Sequence, residues 1–204
     1  MKKNFLILAD LDSTFEEFKV DNDEFIPFLN FVEEFEEELG CFVVIHFVSG
    51  TSKENLADRL DFFKYEYPEI YSRIDYAILS GGKKYSRDLK PIGKCGTDYA
   101  PYSKADGVND IISNYRRSDI AGACFLGDGK NDVPGFDMLK YYQRAFEFGT
   151  YNLAPRSRRD YDNIISHVDF YSEKPRILGC VDCLYNMQKA ILEKIGDENS
   201  SSIW

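Results

Sequence analysis

Five apolar-rich runs divide this chain, at residues 5–9, 42–48, 76–79, 121–126 and 144–148. A run of this kind has no polar face to turn to water, so it reads as a strand buried on both sides, as in a parallel sheet. Between the first two runs, Phe25, Phe28, Leu29, Val32, Phe35 and Leu39 recur every three or four residues with glutamates on the opposite face, and Gly40 follows as a stop. That spacing predicts an amphipathic helix. Further helical patterns cover 55–66, 105–115, 133–142 and 181–195. Strands and helices therefore alternate, which predicts a doubly wound α/β fold around a mostly parallel sheet. Such sheets bind ligands at the carboxyl ends of their strands, so the residues that follow each run are the ones to inspect.

At 204 residues the chain has the length of about one domain. We read residues 1–196 as that domain and 197–204, with its Asp-Glu-Asn-Ser-Ser-Ser stretch, as a flexible tail. A hydrophobic content of 44% excludes general disorder. The net charge of −10 disfavours a polyanion such as nucleic acid, or an anionic membrane, as the main partner. The first apolar run ends at Asp10, too soon for a signal sequence or a membrane span. Five cysteines, an odd number in a chain too large to need disulfide staples, predict a reducing compartment and a cytoplasmic location. Cys180 and Cys183 form a C-x-x-C without a second pair, and we read them as helix packing. His46, inside an apolar run, is expected in the core, and His167 at the surface or an edge. Tyr141, Tyr142 and Tyr151 are expected to pack rather than to stack on a base.

The strand ends carry the chemistry. Asp10-Leu11-Asp12-Ser13-Thr14 follows the first run, Ser49-Gly50-Thr51 the second, and Gly127-Asp128-Gly129-Lys130-Asn131-Asp132 the fourth. Ser103-Lys104 stands before a helix. Carboxylates gathered on one rim repel unless a cation neutralises them, and an all-oxygen set suits a hard ion such as Mg²⁺. A carboxylate beside a hydroxyl, glycine amides and a lysine makes a receptor for a phosphoryl group. One carboxylate can attack phosphorus while a second gives and later takes the proton.

These four motifs, in this order, resemble those of the haloacid dehalogenase superfamily of phosphohydrolases. Residues 75–82, 148–154 and 179–184 further resemble landmarks of its Cof-type and sucrose-phosphatase-like branches, so the resemblance spans nearly the whole chain. It implies a three-layer, Rossmann-like α/β core and a Mg²⁺-dependent phosphatase that works through an aspartyl-phosphate. Asp10 then resembles the nucleophile and a metal ligand, and Asp12 the general acid/base with a metal-ligating carbonyl. Ser49, Gly50 and Lys104 would hold the phosphoryl oxygens, Asp128 would complete the metal ligands, and Asn131 and Asp132 would orient the metal's water or the lysine. Ser13 stands where these branches have glycine and Thr51 where an arginine is common, which leaves the substrate open.

Members of the superfamily usually carry a cap over the site. Here only residues 83–103 are left over between the second and third motifs, which implies a reduced cap or loop insertion. An open site admits a small or a macromolecular phosphorylated substrate, or is closed by a neighbouring subunit in a homo-oligomer. The insertion carries five basic residues (Lys83, Lys84, Arg87, Lys90, Lys94) against Asp88 and Asp98, and either steers an anionic substrate or is a solvated loop. Arg156, Arg158 and Arg159, a basic cluster after the last motif, either contact a substrate's distal anion or form a solvated turn. A phosphotransferase or phosphomutase, and a capless scaffold serving as a binding or regulatory module, remain as alternative functions.

Overall fold

The first run, Asn4–Ala9 (β1), is buried along almost its whole length because neighbours cover both its faces and both its edges. Phe42–Val48 (β2) and Ile120–Leu126 (β6) pair with it in parallel, one on each side. The computed structural model describes residues 2–11, 25–95, 102–156 and 160–201, the last four of these as backbone. Beyond β2 lie Ile74–Ile78 (β3), Lys83–Ser86 (β4) and Pro91–Lys94 (β5). Beyond β6 lie Gly149–Ala154 (β7) and Phe170–Tyr171 (β8). The eight strands form one sheet in the order β5-β4-β3-β2-β1-β6-β7-β8, parallel except where β4 runs against both β3 and β5. The fold is the expected three-layer α/β arrangement.

Period-two alternation in β1 divides the core. Phe5, Ile7 and Ala9 belong to a cluster with Ile26–Leu39 (α1), Lys53–Glu66 (α2), Pro68–Arg73 (α3) and Arg176–Ser201 (α7). Leu6 and Leu8 point the other way, into a cluster with Lys104–Ser113 (α4) and Val133–Lys140 (α5). Tyr161–Ile164 (α6) is a single turn. The spacing that predicts α1 is realised in full: Phe28, Phe31, Val32 and Phe35 are buried, and Gly40 ends the helix at φ 62°. The outer face of α1 is less comfortable. Glu33, Glu34, Glu37 and Glu38 are exposed, pair like with like at i,i+4, and crowd the negative end of a helix with no basic residue in its last turn. Each such pair costs about 0.2–0.5 kcal/mol, and the helix dipole adds to it.

Several expectations need correction. Residues 144–148 are turns rather than a strand; the strand is β7, whose Gly149 starts it at φ 80°. Phe146 and Phe148 are buried without being in a ladder, which made the segment resemble a strand. β7 itself carries buried Thr150 and Asn152, whose side chains donate to the α5 carbonyls of Leu139 and Phe136, Asn152 also reaching the carbonyl of His167. α7 begins five residues earlier than its pattern and keeps helical backbone through Ser201, where a tail was expected from 197. Tyr141 is exposed rather than packed, whereas Tyr142 stacks on Phe146 and Tyr151 lies against Phe170. The described part of the 83–103 insertion is the β4–β5 hairpin, which continues the sheet sideways. His46 is fully buried, with Nε2 3.0 Å from the Tyr115 hydroxyl, and burial pushes its pKa down to about 3. Cys180 and Cys183 are buried, the Cys183 thiol giving its hydrogen to the carbonyl of Ala154. No helix among the described residues is long and apolar enough to cross a membrane.

One polar network ties α1 and α3 to the start of β2. Glu36 accepts from the Val43 backbone N–H at 2.9 Å and from Arg73 Nε and Nη2 at 3.1 and 2.9 Å. Its side chain is only 16% exposed, so it depends on that guanidinium. Arg73→Met is expected to lower unfolding free energy by about 1–3 kcal/mol in urea titrations, against a near-neutral Lys64→Met at an exposed position of α2.

Candidate active site

Four strand or helix ends meet on one rim. Asp10 leaves β1 with its N–H donated to the carbonyl of Leu126 at 2.8 Å, which fixes it against the end of β6. Ser49 leaves β2 and donates its N–H to the carbonyl of Ile78, while its Oγ accepts from the Thr51 N–H at 3.2 Å. Lys104 opens α4, where Ser103 and Asp106 form a capping box that sets the helix start. Asp132 closes the one-turn helix ahead of α5, and its Oδ2 accepts from the N–H groups of Asp128 and Gly129 at 3.0 and 2.9 Å. Gly127 has to be glycine here, since a Cβ would lie 2.4 Å from Asp132 Cγ.

The ammonium of Lys104 joins these pieces. Nζ lies 2.8 Å from Asp10 Oδ2 and makes a short bond to Asp132 Oδ1. All three side chains are nearly excluded from water. Asp10, Asp128 and Asp132 each present a ligand atom within 4.8 Å of the others. Ser49 is buried beside them and hydrogen-bonds the Asp10 carboxyl. Gly50 and Asn131 are both exposed. Asp12 and Arg158 and Arg159 lie outside the described residues.

The electrostatics are unbalanced. Burial first, then the charge of Asp132, pushes the Asp10 carboxyl up to about 7 despite Lys104. Burial and Asp132 likewise push Asp128 up to about 6. Burial opposes the Lys104 ammonium, but Asp10 and Asp132 outweigh it and hold its pKa above the usual lysine value. Asp160, just ahead of α6, adds to the excess: its carboxylate is 3.7 Å from where a Gly129 Cβ would sit, and it raises the pKa of Asp128. Sequence reading passed over Asp160 because it stands outside every motif, and its only signal is its position after β7, another strand end on this rim.

A divalent cation fits this set. Both oxygens of Asp132 are committed, one to Lys104 and one to backbone N–H groups, whereas Asp10 Oδ1 is buried with no hydrogen-bond partner. Asp10 and Asp128 are therefore the carboxylates with capacity to spare, and Asp132 holds the lysine. A described cleft of ≈ 670 Å³ lies elsewhere, at the amino ends of β1–β3, lined by Phe42, Val44, Arg73 and Tyr115 among others. The carboxylate cluster lies at the carboxyl ends, where this architecture builds its sites. Of the basic insertion, Lys84 is paired with Asp110 at 2.7 Å and Arg87 donates to the carbonyl of Ser72 at the far end of β3. Neither is poised over the rim.

Because Asp10 and Asp128 bind protons more tightly folded than unfolded, their penalty is absent below about pH 4 and complete above about pH 7 without metal. In EDTA, Asp10→Asn is expected to melt above the wild type at about pH 8, and that advantage is expected to shrink towards pH 5. A melting-point difference that is equal at both pH values would contradict this assignment.

No protein-family model matches the sequence, and comparison with curated proteins gives no match. Solved structures do match. A haloacid dehalogenase-like hydrolase, yhjK of Bacillus subtilis, superposes with a TM-score of 0.55 at 14% identity, over 91% of this chain and 89% of that one. The cobalt-bound deoxy-D-mannose-octulosonate 8-phosphate phosphatase YrbI of Haemophilus influenzae gives 0.49 at 11% identity, over 90% and 88%. In fold, this chain is similar to the haloacid dehalogenase-like hydrolase yhjK.

Proposed function

We propose that the protein is a member of the haloacid dehalogenase superfamily and a metal-dependent phosphatase that hydrolyses a phosphate monoester through Asp10. The observation that carries the reading is the pairing of Asp10 with Lys104 at a strand end, with one Asp10 oxygen held and the other unpartnered. The fold shared with yhjK supports it, as does the order of the motifs around Asp10, Ser49, Lys104 and Asp132.

Asp10 is the nucleophile. Its carboxylate oxygen forms a bond to phosphorus as the bond to the ester oxygen breaks, and Asp12 gives that leaving oxygen its proton. Water then attacks the acyl-phosphate, Asp12 takes its proton, and phosphate leaves with Asp10 restored. Lys104 counters the charge on the phosphoryl oxygens and keeps Asp10 aimed, because Asp132 fixes the ammonium from behind. Ser49 exchanges its bond to Asp10 for one to a phosphoryl oxygen, beside the backbone amide of Gly50. A divalent ion, for which Mg²⁺ is the candidate, would be held by Asp10 and Asp128 with the Asp12 carbonyl, and would keep Asp10 ionised and neutralise the phosphoryl group. A proton-donating second aspartate in the first motif favours phosphoryl transfer over dehalogenation.

With p-nitrophenyl phosphate and Mg²⁺, phosphate release is expected from the wild type and lost on adding EDTA. Asp10→Asn is expected to abolish it and Lys104→Met to lower kcat/KM by at least about a hundredfold, with circular dichroism unchanged. Activity that survives Asp10→Asn would sink the mechanism. Transfer of the phosphoryl group to an added alcohol in preference to water would identify a phosphotransferase instead.

A further inference from the structure

Away from the rim, α7 presents an apolar stripe that the fold covers only in part. Leu178, Tyr185 and Leu192 are 38%, 38% and 39% exposed, although the residues between them on the inner face, such as Cys180, Leu184, Met187 and Ile191, are fully buried. Their spacing is seven and seven, so they line one side of the helix over about 21 Å. Val181 and Ile195 extend the same edge with partial or full burial.

The stripe runs beside α1. The Tyr185 ring meets Phe31 edge-on at 5.2 Å and its hydroxyl donates to Glu34 at 3.0 Å. Three residues on, Gln188 donates to Glu38 at 2.7 Å. Both contacts advance in the same direction, so α1 and α7 lie side by side and run in parallel. The middle of the stripe, around Tyr185, is thereby bordered by the exposed acidic face of α1, with Glu33, Glu34, Glu37 and Glu38. Those glutamates oppose their own helix through like-charge pairs and the helix dipole, and no lysine or arginine among the described residues bridges to any of the four. A feature that works against the local structure in this way is the mark of a surface kept for another use.

We propose that the α1–α7 face is a docking surface for a basic amphipathic helix of a partner protein. The partner's apolar edge covers Leu178, Tyr185 and Leu192, and its lysines or arginines lie against the α1 glutamates. Charge decides the occupant: a second copy of this chain would bring the same acidic row against itself. The surface is independent of the phosphatase reading, since none of its residues belongs to the rim.

The test uses the full-length protein and two fluorescein-labelled peptides of about three heptads, alike in their leucine positions. One carries lysine on the flanks and the other glutamate. Fluorescence polarisation is expected to show saturable binding of the lysine peptide alone, weakening as NaCl rises from about 0.05 to about 0.3 M. Leu178→Gln with Leu192→Gln is expected to weaken binding by about tenfold without changing circular dichroism. The set Glu33→Gln, Glu34→Gln, Glu37→Gln and Glu38→Gln is expected to weaken binding while raising Tm, an opposition that loss of folding cannot produce. Equal binding of the two peptides, absence of lysine-peptide binding, or binding unaffected by the leucine changes would overturn the proposal. So would a dimer in analytical ultracentrifugation that the leucine changes dissolve, which would make the face an interface between copies.

Discussion

The buried ammonium of Lys104 is the contact on which the arrangement of the rim depends. It draws Asp10 at the end of β1, Asp132 ahead of α5 and the first turn of α4 to one point, three pieces of chain far apart in sequence. Among the described residues Lys104 sets one positive charge against the three clustered carboxylates of Asp10, Asp128 and Asp132, so these groups make a net negative site with little water to screen it. The two backbone N–H groups on Asp132 keep that carboxylate committed to its place. What remains adaptable is Asp10, raised in pKa and only half satisfied. Chemistry at a rim needs one rigid partner and one responsive one, and here they are two aspartates on the same lysine.

Much of this was legible in the sequence, for a physical reason. A carboxylate that directly follows a doubly buried strand has few places to go, so Asp10, Ser49 and Asp132 could be assigned to one rim from their positions alone. α1 was legible because its apolar residues keep a helical period and Gly40 ends it. β7 was not, because Thr150 and Asn152 break the apolar pattern and are satisfied by α5 carbonyls, a tertiary fact with no local trace. The β4–β5 hairpin was hidden by its glycines and lysines, which suit an edge and a loop alike. Asp160 carries no motif, and only the path of the chain after β7 brings it to Asp128.

The α7 stripe illustrates a further limit. Leu178, Tyr185 and Leu192 have the spacing of core residues, and sequence periodicity places them on a helix face without saying whether that face is covered. Cys180 and Leu184, one or two positions away and so turned to the inner face of the same helix, are fully enclosed. The difference is geometric: α1 reaches Phe31 and Glu34 around one side of Tyr185 and stops there.

The two margins of the sheet deserve to be considered together. On one side β8 has just two residues, and on the other β5 is the short, exposed sequence Pro91-Ile92-Gly93-Lys94. Proline offers no N–H, glycine resists a regular ladder, and a terminal lysine repels an approaching neighbour of like charge. A foreign strand therefore finds little template at either margin. Among the described residues, the helices and the rim therefore offer more to a partner than the sheet margins do.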